Sequence, residues 1–116
     1  MHLITDAIYL DEYKLMLFFK SGNIGLADLQ PYLNGEMFEP LKDVNYFKTV
    51  RVNPNIDTIV WDNRADFAPE FLFEISQGLS QTEATALLRQ AKVLAENETP
   101  GELLAKIRAA HPQPAA

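Results

Sequence analysis

The residues able to do chemistry in this chain are few, and their spacing assembles little. His2 and His111 are its two histidines, and each stands near an end of the sequence. A general base or metal ligand needs held geometry, so both read as solvated terminal side chains. Asp57, Asp62 and Asp66 carry three carboxylates through one short stretch. Their spacing lacks the glycine and the bidentate acid of a calcium loop. Asp66, three residues before Pro69, fits a helix N-cap or a turn better than a cation ligand. With no cysteine, thiolate metal sites, disulfide frameworks and cysteine nucleophiles are excluded together. The five glycines form no phosphate-binding or dinucleotide pattern, and no nucleophile elbow occurs. Glu70 and Glu74 lie one helical turn apart, as on a solvated face. The reading is therefore of a non-enzymatic chain with no metal and no cofactor, and with one polar loop, Asp62, Asn63, Arg64 and Asp66, as its candidate polar site.

Charge narrows the partners. The net is −6 and the isoelectric point near 4.8. Residues 1–75 hold six Lys/Arg against twelve Asp/Glu, whereas residues 76–116 balance four against four. Nucleic-acid affinity comes chiefly from neutralising phosphates, so this distribution weighs against a DNA-binding surface. No basic and apolar leader is evident at the start, and the longest apolar runs are too short to span a bilayer, which together imply a cytoplasmic protein.

At 116 residues with 47% hydrophobic content, one domain with a genuine core is expected. The elements that would position any site read as follows. Ile4 to Tyr9, Leu15 to Phe19 and Ile24 to Leu29 form strands of an antiparallel meander, the second apolar on both faces, with Ser21-Gly22-Asn23 as a tight turn. A short helix is expected over Leu41 to Phe47, with Leu41, Val44 and Phe47 inward. Strands Thr49 to Val52 and Asp57 to Trp61 follow, then a helix from Pro69 to about Gln77, stopped by Gly78. This order, without βαβ alternation, gives an α+β fold with a mostly antiparallel sheet of about five strands.

From Gly78 the pattern changes to a helical hairpin. Ser80 with Glu83, and Thr99 with Glu102 beside Pro100, are capping boxes. The helices they open run to about Asn97 and Ala110, and Pro112 to Ala116 is expected to fray. The chain thus divides into an α+β part, 1–77, and a helical tail, 78–116, packed in cis or on a second subunit. Short amphipathic helices need a surface to cover. Leu87, Leu88, Leu94, Leu104 and Ile107 are their candidate contact residues. Phe67, Phe71 and Phe73 cannot all point inward and form a candidate exposed patch, unless the C-terminal hairpin covers them.

Several landmarks together resemble one bacterial family. They are Ile8-Tyr9-Leu10 with Tyr13-Lys14-Leu15, the Phe19, Gly22, Gly25, Asp28-Leu29 hairpin, Phe38-Glu39-Pro40-Leu41-Lys42-Asp43, Phe47 with Val50-Arg51-Val52, and Thr58-Ile59-Val60-Trp61 followed by Asn63, Ala65-Asp66 and Pro69-Glu70. Over about Leu3 to Ile75 the chain resembles the domain of unknown function 2442 family. The resemblance implies a compact α+β domain of uncharacterised role, encoded near toxin–antitoxin-type partners or joined to a helix-turn-helix domain. The family commonly has Pro and Gly where this chain has Asp62 and Arg64, so the loop need not keep the family's turn. Gly78-Leu79-Ser80-Gln81-Thr82-Glu83 also resembles the start of a second helix in repressor-type helix-turn-helix domains, but Leu87-Leu88 runs on through Arg89-Gln90-Ala91 without the required turn. The expectation is a protein-interaction module that forms a homo-oligomer (a dimer) or binds one partner protein. The alternative is an antitoxin-like or transcription-regulator-like protein that touches DNA, with an enzyme as the third reading.

Overall fold

Strand β2, Lys14–Phe19, is the plank on which the rest of the chain is laid. In this computed structural model, which describes residues 2–91, 94 and 97–110, its side chains alternate between two separate apolar cores. Leu15, Leu17 and Phe19 enter one core, and Met16 and Phe18 enter the other. A half-wet sheet would show polar residues at every second position. The unbroken run Leu-Met-Leu-Phe-Phe has no wet face, so both sides of this sheet must be covered.

β1, Ile4–Asp11, and β3, Ile24–Asp28, flank β2 as antiparallel neighbours. Glu12 takes a φ of 46° in the first turn, and Gly22 a φ of 97° in the second, where its N–H donates to the Phe19 carbonyl at 2.8 Å. A fourth strand, β6, Gln77–Leu79, pairs with β3 and places Gly78 opposite Gly25, completing the order β1-β2-β3-β6. A separate two-stranded sheet joins β4, Arg51–Asn53, to β5, Thr58–Val60. The fold is α+β with antiparallel pairing, as expected; among the described residues its strands form a four-stranded and a two-stranded sheet where one sheet of about five was expected.

The first core is closed by the segments between β3 and β6. Two single turns of 3-10 helix, Gln30–Tyr32 and Glu39–Lys42, bring Leu33 and Leu41 inward. Helix α1 is Val44–Phe47, and helix α2, Pro69–Ile75, seals the face with Leu72. The continuous helix expected over Leu41 to Phe47 is thus split. Asp43 is extended there (φ −76°, ψ 114°), and its carboxylate accepts the Asn45 N–H at 3.0 Å as the α1 cap. That interruption shifts the register, so Val44 is 37% exposed while Leu41 and Phe47 are buried.

Helix α2 also stops short of Gln77, and Gly78 is a strand residue, not its terminator. Ser76 turns extended and lies so close to Gly25 that a Cβ there would meet the Ser76 Cβ at 2.7 Å. Gly25 therefore lets α2 pass directly into the sheet edge.

The second core lies on the opposite side of β2. Helices α3, Gln81–Ala91, and α4, Pro100–Ala110, lay Ala84, Leu88 and Leu104 against Leu10, Met16 and Phe18. Both capping boxes form: the Glu83 N–H donates to the Ser80 hydroxyl at 3.1 Å, and the Glu102 N–H to the Thr99 hydroxyl at 3.1 Å. The expected continuation of α3 to Asn97 does not hold where it is described: Leu94 is a bend and Asn97 takes a left-handed φ of 68°. The residues between lie partly outside the described ones, and the expected fraying of Pro112 to Ala116 wholly so. Among the described residues, no helix is long and apolar enough to cross a membrane.

Candidate interaction surface

The polar loop after β5 is positioned by the buried Trp61, whose indole N–H donates to the Phe47 carbonyl at 2.8 Å. Trp61 also closes the loop on itself, its N–H donating to the Ala65 carbonyl and its carbonyl accepting the Arg64 N–H. Asn63 then ties three segments together. Its backbone N–H donates to the Tyr46 hydroxyl at 2.9 Å, its side-chain amide donates to the Met37 carbonyl at 3.0 Å, and its side-chain oxygen accepts the Ala65 N–H at 3.1 Å. Every polar atom of that side chain is committed to holding backbone.

The other loop residues divide by role. Asp62 pairs with Arg51, but with side chains 78% and 55% exposed the pair is screened by water and contributes little. Arg64 is exposed and takes a φ of 71°. Asp66 forms a β-bridge with Val60, while Ala68, with no side-chain cap, occupies the N-cap of α2. The expected capping role of Asp66 is therefore corrected, and a turn-and-bridge role remains. Among the described residues, no group of three His, Asp or Glu side chains is placed to hold a metal ion.

Beside this loop the aromatic side chains form a ladder that runs from core to surface. Phe67, 7% exposed, stacks on Phe38 at 4.8 Å between centroids and on Phe71 at 5.9 Å. Phe71 in turn meets the edge of Tyr32 at 5.1 Å. Phe73 leaves in the opposite direction, because residues two apart on a helix diverge by roughly 200°. It packs against Phe19 and stacks on His2 at 3.5 Å. His2 is thereby held and not simply solvated: its backbone N–H donates to Glu70 Oε1 at 2.5 Å, and its Nδ1 lies 2.9 Å from Oε2. These hydrogen bonds from His2 hold the Glu70 carboxyl below the usual glutamate range. His111 lies outside the described residues.

The three candidate phenylalanines thus separate: Phe67 is buried, Phe71 borders the surface, and Phe73 sits under His2. Among the described residues, the large apolar groups that reach solvent are Tyr32, Met37 and Ile56, which the sequence reading did not single out, and Val44, which it placed inward. Tyr32 is 38% exposed and Met37 is 47% exposed; with Val44 they place three of the four exposed large hydrophobic side chains among the described residues between residues 32 and 44. The Pro31 and Pro40 punctuation carried the signal. It forbids a long helix whose periodicity would give these residues an inner face.

The candidate residues of the tail lie in the second core. Leu88 is 0% and Leu104 4% exposed, and Leu87, Leu94 and Ile107 are partly buried against the same cluster. These side chains pack on the outer face of the chain's own sheet.

The family described as Protein of unknown function (DUF2442) matches residues 4–78, and the chain belongs to that family. No curated protein and no solved structure matches the chain.

Proposed function

We propose that this member of an uncharacterised family is a non-enzymatic protein-interaction module, and that it binds another protein chain through the surface made by Tyr32, Met37, Phe38 and Phe71. The observation that carries the reading is the concentration of exposed apolar side chains between residues 32 and 44, against a tail whose large apolar groups, among the described residues, are covered. Contiguous exposed apolar surface tends to mark an interface. Methionine and aromatic residues are the types enriched at interface cores. Rigidity supports the same reading. Asn63 holds the Met37 backbone and Phe67 anchors both Phe38 and Phe71, so the surface is pre-organised and loses little entropy on docking.

The test is co-purification from nuclease-treated lysate of the native host, using the tagged wild-type chain beside a Tyr32→Ser, Met37→Ser double variant. A protein recovered in stoichiometric amount with the wild type and lost with the double variant is the expected result. Recovery that ignores the two substitutions would move the interface elsewhere and overturn the assignment of this surface.

A further inference from the structure

The surface just described is apolar at its centre, and the charge around it is one-sided. Two segments build it, residues 28–43 and 66–74, joined by the Phe38–Phe67 and Tyr32–Phe71 ring contacts. The first contributes Asp28, Glu36, Glu39 and Asp43 against Lys42 alone; the second contributes Asp66, Glu70 and Glu74 with no base. Seven acids against one base give these two segments a net of −6. Glu70 is held by His2 on the Phe73 side, Asp28 stands across the sheet from Lys14, and Asp43 caps α1. Lys42 is already paired with Glu39 at 3.0 Å. The adjoining loop adds Arg64, while its other neighbouring base, Arg51, is paired with Asp62. Glu36, Asp66 and Glu74 are exposed, and their side chains have no hydrogen-bond or ion-pair partner among the described residues.

Aromatic rings rimmed by carboxylates favour one kind of visitor. A Lys or Arg side chain gains from the negative face of a ring and from the carboxylates together, and its methylenes cover apolar surface while the charge stays at the rim. An anionic visitor, nucleic acid or an acidic bilayer, meets repulsion across the same patch. A second copy would set the exposed Glu36, Asp66 and Glu74 against an equally acidic face. Resting on the interaction-module reading above, we infer that the occupant is a cationic, amphipathic segment of a different protein, seating an apolar anchor against Met37 and Tyr32 and placing Lys and Arg side chains over Glu36, Asp66 and Glu74.

The test uses the full chain and a labelled synthetic amphipathic peptide of Lys, Arg, Leu and Phe, with a Glu-for-Lys/Arg version as its counterpart, read by fluorescence anisotropy. The cationic peptide is expected to bind saturably at one per chain, and the acidic one not to bind. Tyr32→Ser with Met37→Ser should weaken binding about tenfold, the size expected for losing a modest interface anchor. Glu36→Gln with Glu74→Gln should weaken it several-fold and flatten its salt dependence between about 0.05 M and about 0.5 M. Asp11→Asn with Glu12→Gln, in the β1–β2 turn, serves as the charge control and should change nothing. Equal loss from that control pair would mean general attraction to an acidic protein and would overturn the inference. So would tight binding of the acidic peptide, or self-association that both face variants abolish. The two readings fail separately. If a lysate partner depends on Tyr32 and Met37 but its binding ignores salt and the Glu36/Glu74 changes, the cationic occupant is wrong and the module stands. If a lysate partner is recovered but does not depend on Tyr32 and Met37, the assignment of this surface fails and the cationic occupant with it; if no partner is recovered at all, the module reading itself fails.

Discussion

Arg64 shows how much a single backbone angle can decide. Its φ of 71° brings the Cβ of an L-residue close to its own backbone carbonyl, at a cost of about 1 kcal/mol or somewhat more. It is held there by the hydrogen bonds on either side of it, from its own N–H to Trp61 and from the Trp61 N–H to Ala65. Glycine adopts this conformation freely but also loosens the unfolded chain, which offsets part of the gain. Arg64→Gly is therefore expected to raise stability by about 0.5–1 kcal/mol, read as a higher urea midpoint at unchanged slope. A lower midpoint would mean that the guanidinium contributes more than the strain costs. The sequence marked Asp62 to Asp66 as a polar loop but could not say which residue turns left-handed. Asn63 is the type that tolerates positive φ best, yet the left-handed angle falls on Arg64, because the side chain of Asn63 bridges to Met37 and Ala65. That closure is tertiary and has no local signature.

At the scale of elements, the most legible features were those whose chemistry closes within four residues. The capping box of α3 is one, and it has a pH dependence. The Ser80 backbone N–H and hydroxyl hold the Glu83 carboxyl below its ordinary range. The folded chain thus keeps this carboxylate ionised where the unfolded chain takes up a proton. Its contribution is complete above the unfolded glutamate range and disappears as pH falls through the depressed folded value. Glu70, held down by His2, behaves in the same sense. Glu83→Gln should consequently show a shallower loss of stability between pH 7 and pH 3 than the wild type in paired urea titrations, with Glu70 supplying part of the slope that remains. Parallel pH profiles would show that the box is not maintained in solution. Elements defined by distant partners were less legible. Strand β6 is three residues long, too short to alternate, and becomes a strand only because Gly25 leaves room for Ser76 beside it. Val44 keeps helical spacing with Leu41 and Phe47, but the extended Asp43 breaks the helix that spacing assumed. The exposed Met37 was illegible for the same reason: its position is set by the Asn63 amide from another segment.

At the scale of the molecule, the family match and the two cores do not coincide. The matched residues, 4–78, contain all of the first core but only the floor of the second, Leu10, Met16 and Phe18. The cover, Ala84, Leu88 and Leu104, comes from the tail beyond the match. The sequence made the need for a cover plain, since β2 is apolar on both faces, but it left open whether the tail or a second chain supplies it. In this fold the chain's own tail lies there, and the consequence is measurable. Burying a leucine side chain contributes about 1.5–3 kcal/mol, and truncating one in a packed core costs about 2–5 kcal/mol. Leu88→Ala and Leu104→Ala should each lower stability within that range, Leu88 at 0% exposure more than Leu104 at 4%. A chain ended after Leu79 goes further, leaving Met16, Phe18 and Leu10 as a contiguous apolar face on a sheet that otherwise keeps its first core. Such a face drives association or captures apolar dyes. The shortened chain is therefore expected to bind an anilinonaphthalene dye and to form oligomers by light scattering, while far-ultraviolet circular dichroism retains the strand signal. A shortened chain that stays monomeric, binds no dye and unfolds at the same urea concentration as the full one would mean that the tail does not cover the sheet in solution. The second face of β2 would then have to be closed by some other part of the chain.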